Sequence, residues 1–223
     1  GSLQQADGTA WMAFYCQHML EMSLILTEYD PMYEEIAYKF VEHFFFIAAA
    51  MNKSGHDGMW DEEDGFFYDL LRLPNGEAMR LKVRSLVGLL PLCASTVFEG
   101  DAVARYPKLM EMIELFKKRH PELVSHVAPT DKGFVGVNDR RLLSILNKQK
   151  LERVLGYLLD EQEFLGPHGI RSLSRYHLDH PFTFRVGHDE YKVQYLPAES
   201  NTGMFGGNSN WRGPVWMPVN ALI

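Results

Sequence analysis

The 223-residue sequence has only two cysteines, Cys16 and Cys93, so it can form at most one disulfide and is no cystine-stapled scaffold. Both fall inside apolar, helix-spaced segments, the pattern of buried free thiols. A cytoplasmic setting is therefore expected. Long apolar runs are also missing, because charged residues interrupt each one before the ~18 positions that a membrane span requires. There is no cationic excess either. The chain carries 22 basic and 29 acidic side chains for a net charge of −7. Without a basic stripe interleaved with aromatics, nucleic acid is not an expected partner. The one dense basic cluster, Lys117 to His120, lies where a helix should end, and cations there complement the helix dipole.

Signatures of bound metals and phosphates are weak or missing, so no cofactor is expected. The acidic cluster Asp57, Asp61, Glu62, Glu63 and Asp64 lacks the alternating ligand spacing of a calcium loop and reads as a solvated turn. His177 and His180 are three apart, but Pro181 follows at once and no carboxylate stands as a third zinc ligand. Gly203 to Gly207 follows no strong β run, unlike a phosphate-cradling loop.

The composition, 46% hydrophobic and 23% charged, is that of a globular protein. A very apolar helix is expected from a cap at Asp7-Gly8-Thr9 to about Tyr29, buried on more than one side. An amphipathic helix follows from Asp30-Pro31, with Ile36, Phe40, Val41, Phe44, Phe45 and Ala48 as its stripe. Trp60 to Leu73 with the turn Pro74-Asn75-Gly76 reads as a short antiparallel pair. Further helices are predicted over Val83 to Thr96 (bent at Pro91), over Pro107 to Arg119, as a short piece over Leu142 to Leu146, and after a cap at Asn147. His120 to Val137 reads as irregular, and Gly166 to Trp216 as loops and short strands. Very apolar helices alternating with amphipathic ones across long loops suit a layered helical ring better than a tight bundle. Gly1-Ser2 reads as a tag scar, and the apolar helix opening at Met217 to Ile223 predicts a longer natural polypeptide.

The most informative segment runs from Asn208 through Trp211, Arg212, Gly213, Pro214 and Val215 to Trp216. Two indoles bracket a guanidinium and a rigid Gly-Pro, after a polar, glycine-rich stretch. Flat aromatic faces and a forked donor suit a pyranose, with its apolar C–H faces and hydroxyl edges. A structural Trp-Arg stack is the plainer reading of such a pair. Glycosidic chemistry needs two carboxyl groups flanking the scissile bond. Asp7 and Glu199 are candidates, although Asp7 also serves as a helix cap and Glu199 as a solvated loop residue.

Four segments in order, Gln5 to Ala13, Trp60 to Asp69, Gly169 to Ser174 and Asn210 to Trp216, together resemble glycoside hydrolase family 63. The family includes processing α-glucosidase I, bacterial α-glucosidases and mannosylglycerate hydrolases. The resemblance implies an all-α fold, part of an (α/α)6 toroid with a short β-hairpin and long irregular loops, with residues 3–223 belonging to one catalytic domain. It implies inverting hydrolysis of an α-glucoside or α-mannoside, with an acid upstream and a base downstream of these residues. On that resemblance Trp211 and Trp216 line the sugar site, Asn210 and Arg212 supply polar contacts, and Asp7 and Arg171 are further pocket residues. The expected partner is an oligosaccharide or small glycoside. A non-catalytic carbohydrate-binding domain of the same fold and a helical interaction scaffold are the competing expectations.

Overall fold

A computed structural model describes residues 2–126, 136–196 and 215–223, apart from the side chain of Val103. In chain order the elements are β1 (Ser2–Gln4), α1 (Ala6–Leu26), α2 (Tyr33–Met51), β2 (Trp60–Asp61), β3 (Phe66–Phe67), β4 (Asp69–Arg72) and β5 (Ala78–Leu81). They continue with β6 (Ser95–Phe98), α3 (Ala102–Arg105), α4 (Pro107–Arg119), α5 (Pro121–Val124), β7 (Arg141–Ser144) and α6 (Lys148–Leu158). Last come β8 (Leu165–Gly166), β9 (Gly169–Ile170), β10 (Phe182–Val186), β11 (Asp189–Val193) and α7 (Met217–Asn220). The chain divides into two compact units, each discontinuous in sequence. One comprises Gly1–Asp7, Met59–Leu90 and Lys150–Ile223, and the other Gly8–Gly58 and Pro91–Gln149.

The first unit is built on antiparallel strands. β4 is the centre of a three-stranded sheet, pairing with β1 (Leu3 opposite Leu71) and with β5 (Leu71 opposite Met79). The turn between β4 and β5 is the expected one: Gly76 takes φ +88°, and Leu73 and Glu77 close it by a 2.8 Å hydrogen bond. Trp60, Phe66, Phe67, Tyr68, Leu70 and Phe164 are all buried. Phe66 stacks on Phe164 at 5.9 Å and meets Tyr157 edge-on at 5.2 Å. Gly88 is held in that aromatic packing, where a Cβ would lie 2.2 Å from Phe66 Cε1.

The second unit is mainly helical. Of the stripe predicted on α2, Val41, Phe44, Phe45 and Ala48 are buried and Phe40 half-buried, whereas Ile36 is exposed and Ala37 is buried beside it. The buried face packs on α4, where Phe116 sits 5.4 Å from Phe45. Glu34 accepts a 2.8 Å hydrogen bond from the Leu109 N–H in the first turn of α4, satisfying a donor that the helix itself leaves unpaired. Gln17 of α1 donates to the Leu143 carbonyl of β7 at 2.9 Å. α1 buries one stripe, Ala10, Ala13, Gln17, Leu20 and Leu24, and leaves a second apolar stripe exposed. It is not covered on more than one side.

The all-α toroid is overturned. Besides the helices, the described residues form a three-stranded sheet and four two-stranded ones, so the architecture is mixed α/β, and no ring of paired helices is indicated among them. The largest error is Val83 to Thr96. This apolar run has no polar face to set a period, and Gly88 and Pro91 interrupt it. It forms two 3-10 turns, Leu86–Gly88 and Leu90–Cys93, and then β6, whose Ser-Thr-Val-Phe alternates in burial. The piece predicted as helical over Leu142 to Leu146 is instead largely β7, paired antiparallel with β6. Five residues are too few for helical periodicity to be read. Asp7 lies in the first turn of α1 rather than capping it, because the helix begins at Ala6, whose N–H is taken by Asp69 Oδ1 at 2.8 Å. Pro31 stands in a turn ahead of α2 instead of at its first position. Pro107 does open α4, which spans the predicted Pro107–Arg119. Among the described residues no helix is long and apolar enough to cross a membrane. Cys16 is buried, Cys93 partly so, and both are free thiols.

Candidate functional site

Of the residues singled out for sugar binding, Asn210, Trp211 and Arg212 lie outside the described residues, as does Glu199. Trp216, Arg171 and Asp7 lie within them. The structure brings the first two segments together. Arg171 forms an antiparallel bridge with Val215, beside Trp216. The side chain of Asn220 in α7 then fastens the junction. Its Oδ1 accepts the Ile170 N–H at 2.6 Å, and its Nδ2 donates to the carbonyls of Ile170 at 3.2 Å and Trp216 at 3.0 Å. An amide that donates and accepts on one residue mimics a neighbouring strand. Gly169 is required where this amide approaches. Its φ is +132°, and a Cβ would come within 2.8 Å of Asn220 Oδ1. Trp216 is half-buried at the head of α7. Asp7 enters through a different element, the first turn of α1, where it is half-buried at the positive end of the helix.

Arg171 is a brace. Its Nη1 donates to the carbonyls of Glu161 (3.0 Å), Glu163 (3.2 Å) and Leu165 (2.7 Å), which fixes the turn ahead of β8. It also lines an open cleft of about 480 Å³ with Glu161, Leu165, Gly166, Pro167 and Arg175. Two guanidinium groups and one carboxylate at such a mouth supply forked donors and an acceptor, the polar complement of vicinal hydroxyls.

Joined to Arg171 through the Glu163 carbonyl is a part-buried polar network that the sequence does not reveal. Glu163 accepts from Arg84 Nη1 at 2.6 Å and, through its other oxygen, from the Ser174 hydroxyl. The Arg84 guanidinium lies 4.1 Å from the centre of the Tyr176 ring and 5.0 Å from that of Tyr157. Its backbone N–H donates to His177 Nε2 at 2.9 Å. Burial opposes the charge on Arg84, but Glu163 and Tyr68 outweigh it and hold the guanidinium above its ordinary pKa. Tyr68 donates to Asp64 Oδ2 at 2.9 Å, and Tyr157 donates to the Asp64 carbonyl at 2.6 Å. Burial, then the Asp64 carboxylate, push the Tyr68 phenol far above its usual range.

Lys82 bridges Asp61 at 3.1 Å and Asp64 at 3.0 Å. Burial raises the Asp61 pKa, yet the Asp64 N–H and the Lys82 and Arg80 cations prevail and lower it below the usual carboxylate value. The acidic cluster is therefore more than a solvated turn. Its signal in the sequence is the alternation Arg80-Leu81-Lys82-Val83-Arg84, with cations on one face and buried Leu81 and Val83 on the other. Among the described residues, no three His, Cys, Asp or Glu side chains converge as metal ligands.

No protein-family profile matches the chain. All of it aligns, at 43% identity over 237 residues, with the uncharacterized protein YMR196W of Saccharomyces cerevisiae. The chain spans 22% of that relative's length.

Proposed function

We propose that this chain is part of an inverting α-glycosidase acting on an α-glucoside or α-mannoside, and that it supplies part of the sugar-binding wall. The reading rests on one observation. Two of the four segments that resemble family 63, Gly169 to Ser174 and Val215-Trp216, are bridged at Arg171 and Val215 and clamped by Asn220, with the Arg171–Arg175 cleft beside Arg171. In this reading Trp216 offers an apolar face to the ring, with Trp211, Arg212 and Asn210 contributing from the preceding segment. The carboxylic acid and the water-activating carboxylate come from polypeptide outside residues 1–223. Glu163 is committed to Arg84 and Ser174 and so serves to position the wall. Two free thiols fit a reducing, cytoplasmic compartment.

The test is a titration of intrinsic tryptophan fluorescence with glucose, mannose and their α-linked disaccharides, repeated with Trp216→Ala. A saturable change in the native chain that Trp216→Ala abolishes, at unchanged far-UV circular dichroism, supports the reading. No response up to about 10 mM sugar, confirmed by calorimetry, refutes it.

A further inference from the structure

Lys150, the third residue of α6, is half-buried, and its Nζ rests 4.7 Å from the centre of the Trp60 ring and 5.9 Å from that of Phe67. Three features of this seat disfavour an ammonium. The first turn of a helix carries the positive end of its dipole. The Arg153 guanidinium, one turn further along α6, lies 5.9 Å from the centre of the same Trp60 ring, so a like charge sits against the same indole. Trp60 and Phe67 are themselves buried and keep water from that side. The ring faces favour a cation, but they do not decide the balance. Burial lowers the Lys150 pKa to about 8, against the opposing pull of the Glu62 carboxylate. At about pH 7.5, roughly a quarter of such an amine is neutral, against about 0.1% of an ordinary lysine.

The indole beside the amine is itself incomplete. Trp60 Nε1 is buried, and its N–H has no acceptor among the described residues. An ammonium offers only donors and leaves it so, whereas an amide built on Nζ brings a carbonyl oxygen to the ring. We propose that Lys150 is an acylation site that takes the acyl group of a thioester. A lysine desolvated against apolar walls and set beside another cation is the activated form of this nucleophile. The neutral Nζ attacks the thioester carbonyl carbon. The N–C bond forms as the C–S bond breaks, and the sulfur leaves as a thiol with the proton that the amine gives up. Nothing is oxidised or reduced. The product is uncharged, so the repulsion from the helix end and from Arg153 is gone, and a planar amide lies against the aromatic faces in place of an ammonium.

The test is incubation of the 223-residue chain with acetyl-coenzyme A at about pH 7.5, read by peptide mass spectrometry, with the chain in concentrated urea as reference. In the folded chain Lys150 should be acetylated at least about tenfold faster than Lys53 and Lys108, which are ion-paired to Asp57 and Glu35. That preference should vanish in urea. Glu62→Gln removes the carboxylate that favours the ammonium but keeps the Glu62 carbonyl and its bond from Arg153, so it should speed Lys150 about twofold further. The Trp60 indole N–H resonance should shift as the acyl group is added. Lys150 reacting no faster than Lys53 and Lys108 in the folded chain overturns the proposal, as does a preference that survives in urea. Slower acetylation in Glu62→Gln, or an unmoved Trp60 indole resonance on the acetylated chain, overturns it too.

Discussion

Replacing Asn220 by Ala tests the junction on which the proposed sugar wall depends. Three hydrogen bonds are lost: one accepted from the Ile170 N–H at 2.6 Å and two donated, to Ile170 O at 3.2 Å and Trp216 O at 3.0 Å. The Trp216 carbonyl keeps a partner, since the backbone N–H of residue 220 donates to it at 3.1 Å. The Ile170 N–H loses its short bond in a half-buried setting. With about 1 kcal/mol for each ordinary bond and somewhat more for a donor left without an acceptor, the junction should weaken by about 2–3 kcal/mol. Hydrogen exchange at the Ile170 amide reads this locally, and its protection should fall about 30- to 150-fold. Asn220→Asp keeps the acceptor but not the donors, and should lose roughly half as much free energy. Unchanged Ile170 exchange in Asn220→Ala would show that the clamp holds nothing, and the wall would lose its structural basis.

Further expectations can be measured directly. Gly88→Ala should destabilise the first unit by more than about 3 kcal/mol in urea unfolding, because the new methyl meets Phe66 and the Phe67 carbonyl; a loss under 1 kcal/mol would contradict that packing. Asp61 is held below its unfolded pKa, so its contribution to stability is present above about pH 4 and disappears as pH falls through the depressed folded value. Asp61→Asn should flatten that acid limb, and a limb of undiminished steepness would disprove the assignment. Lys150 is pressed over the Trp60 ring at 4.7 Å, and burial lowers its pKa to about 8. The unfolded chain binds this proton up to its ordinary pKa, so the group adds stability as pH rises from about 8 toward 10. NMR titration of the methylated amine should show a midpoint near 8, and a midpoint above 10 would count against the burial. Burial pushes Cys93 up to about 11, so a thiol reagent at pH 8 should label it slowly in the folded chain and promptly in denaturant.

Sequence periodicity disclosed α2 and α4 because each has a polar face to set against its apolar one, and Pro107 marks where α4 begins. The turn between β4 and β5 was equally plain, since Asn75-Gly76 permits the backbone angles that it adopts. The strands β6 and β7 were hidden for a physical reason. Each is four residues long, and each is made by its partner across 40 or more residues, a pairing that no local pattern records. The segments that carry Arg171 and Trp216 meet at the Arg171–Val215 bridge, a pairing that the sequence does not record. Arg171, expected as a pocket residue, lines the cleft, and its Nη1 is held by three carbonyls, which the sequence does not show. Asn220 drew no notice, because an amide in a short apolar helix signals nothing until Ile170 stands opposite it.

The order in which the units are threaded along the chain constrains how the polypeptide is born. β4 and its neighbours leave the ribosome first, whereas Phe164 and Leu173, buried in the same unit, are encoded about a hundred residues later. In the interval the whole Pro91–Gln149 stretch, which belongs to the other unit, is synthesised. The Phe66 and Trp60 aromatic cluster must therefore wait partly uncovered until Phe164 has been made. Nascent-chain protection during this window, by a chaperone or by transient collapse, is a built-in demand of this topology.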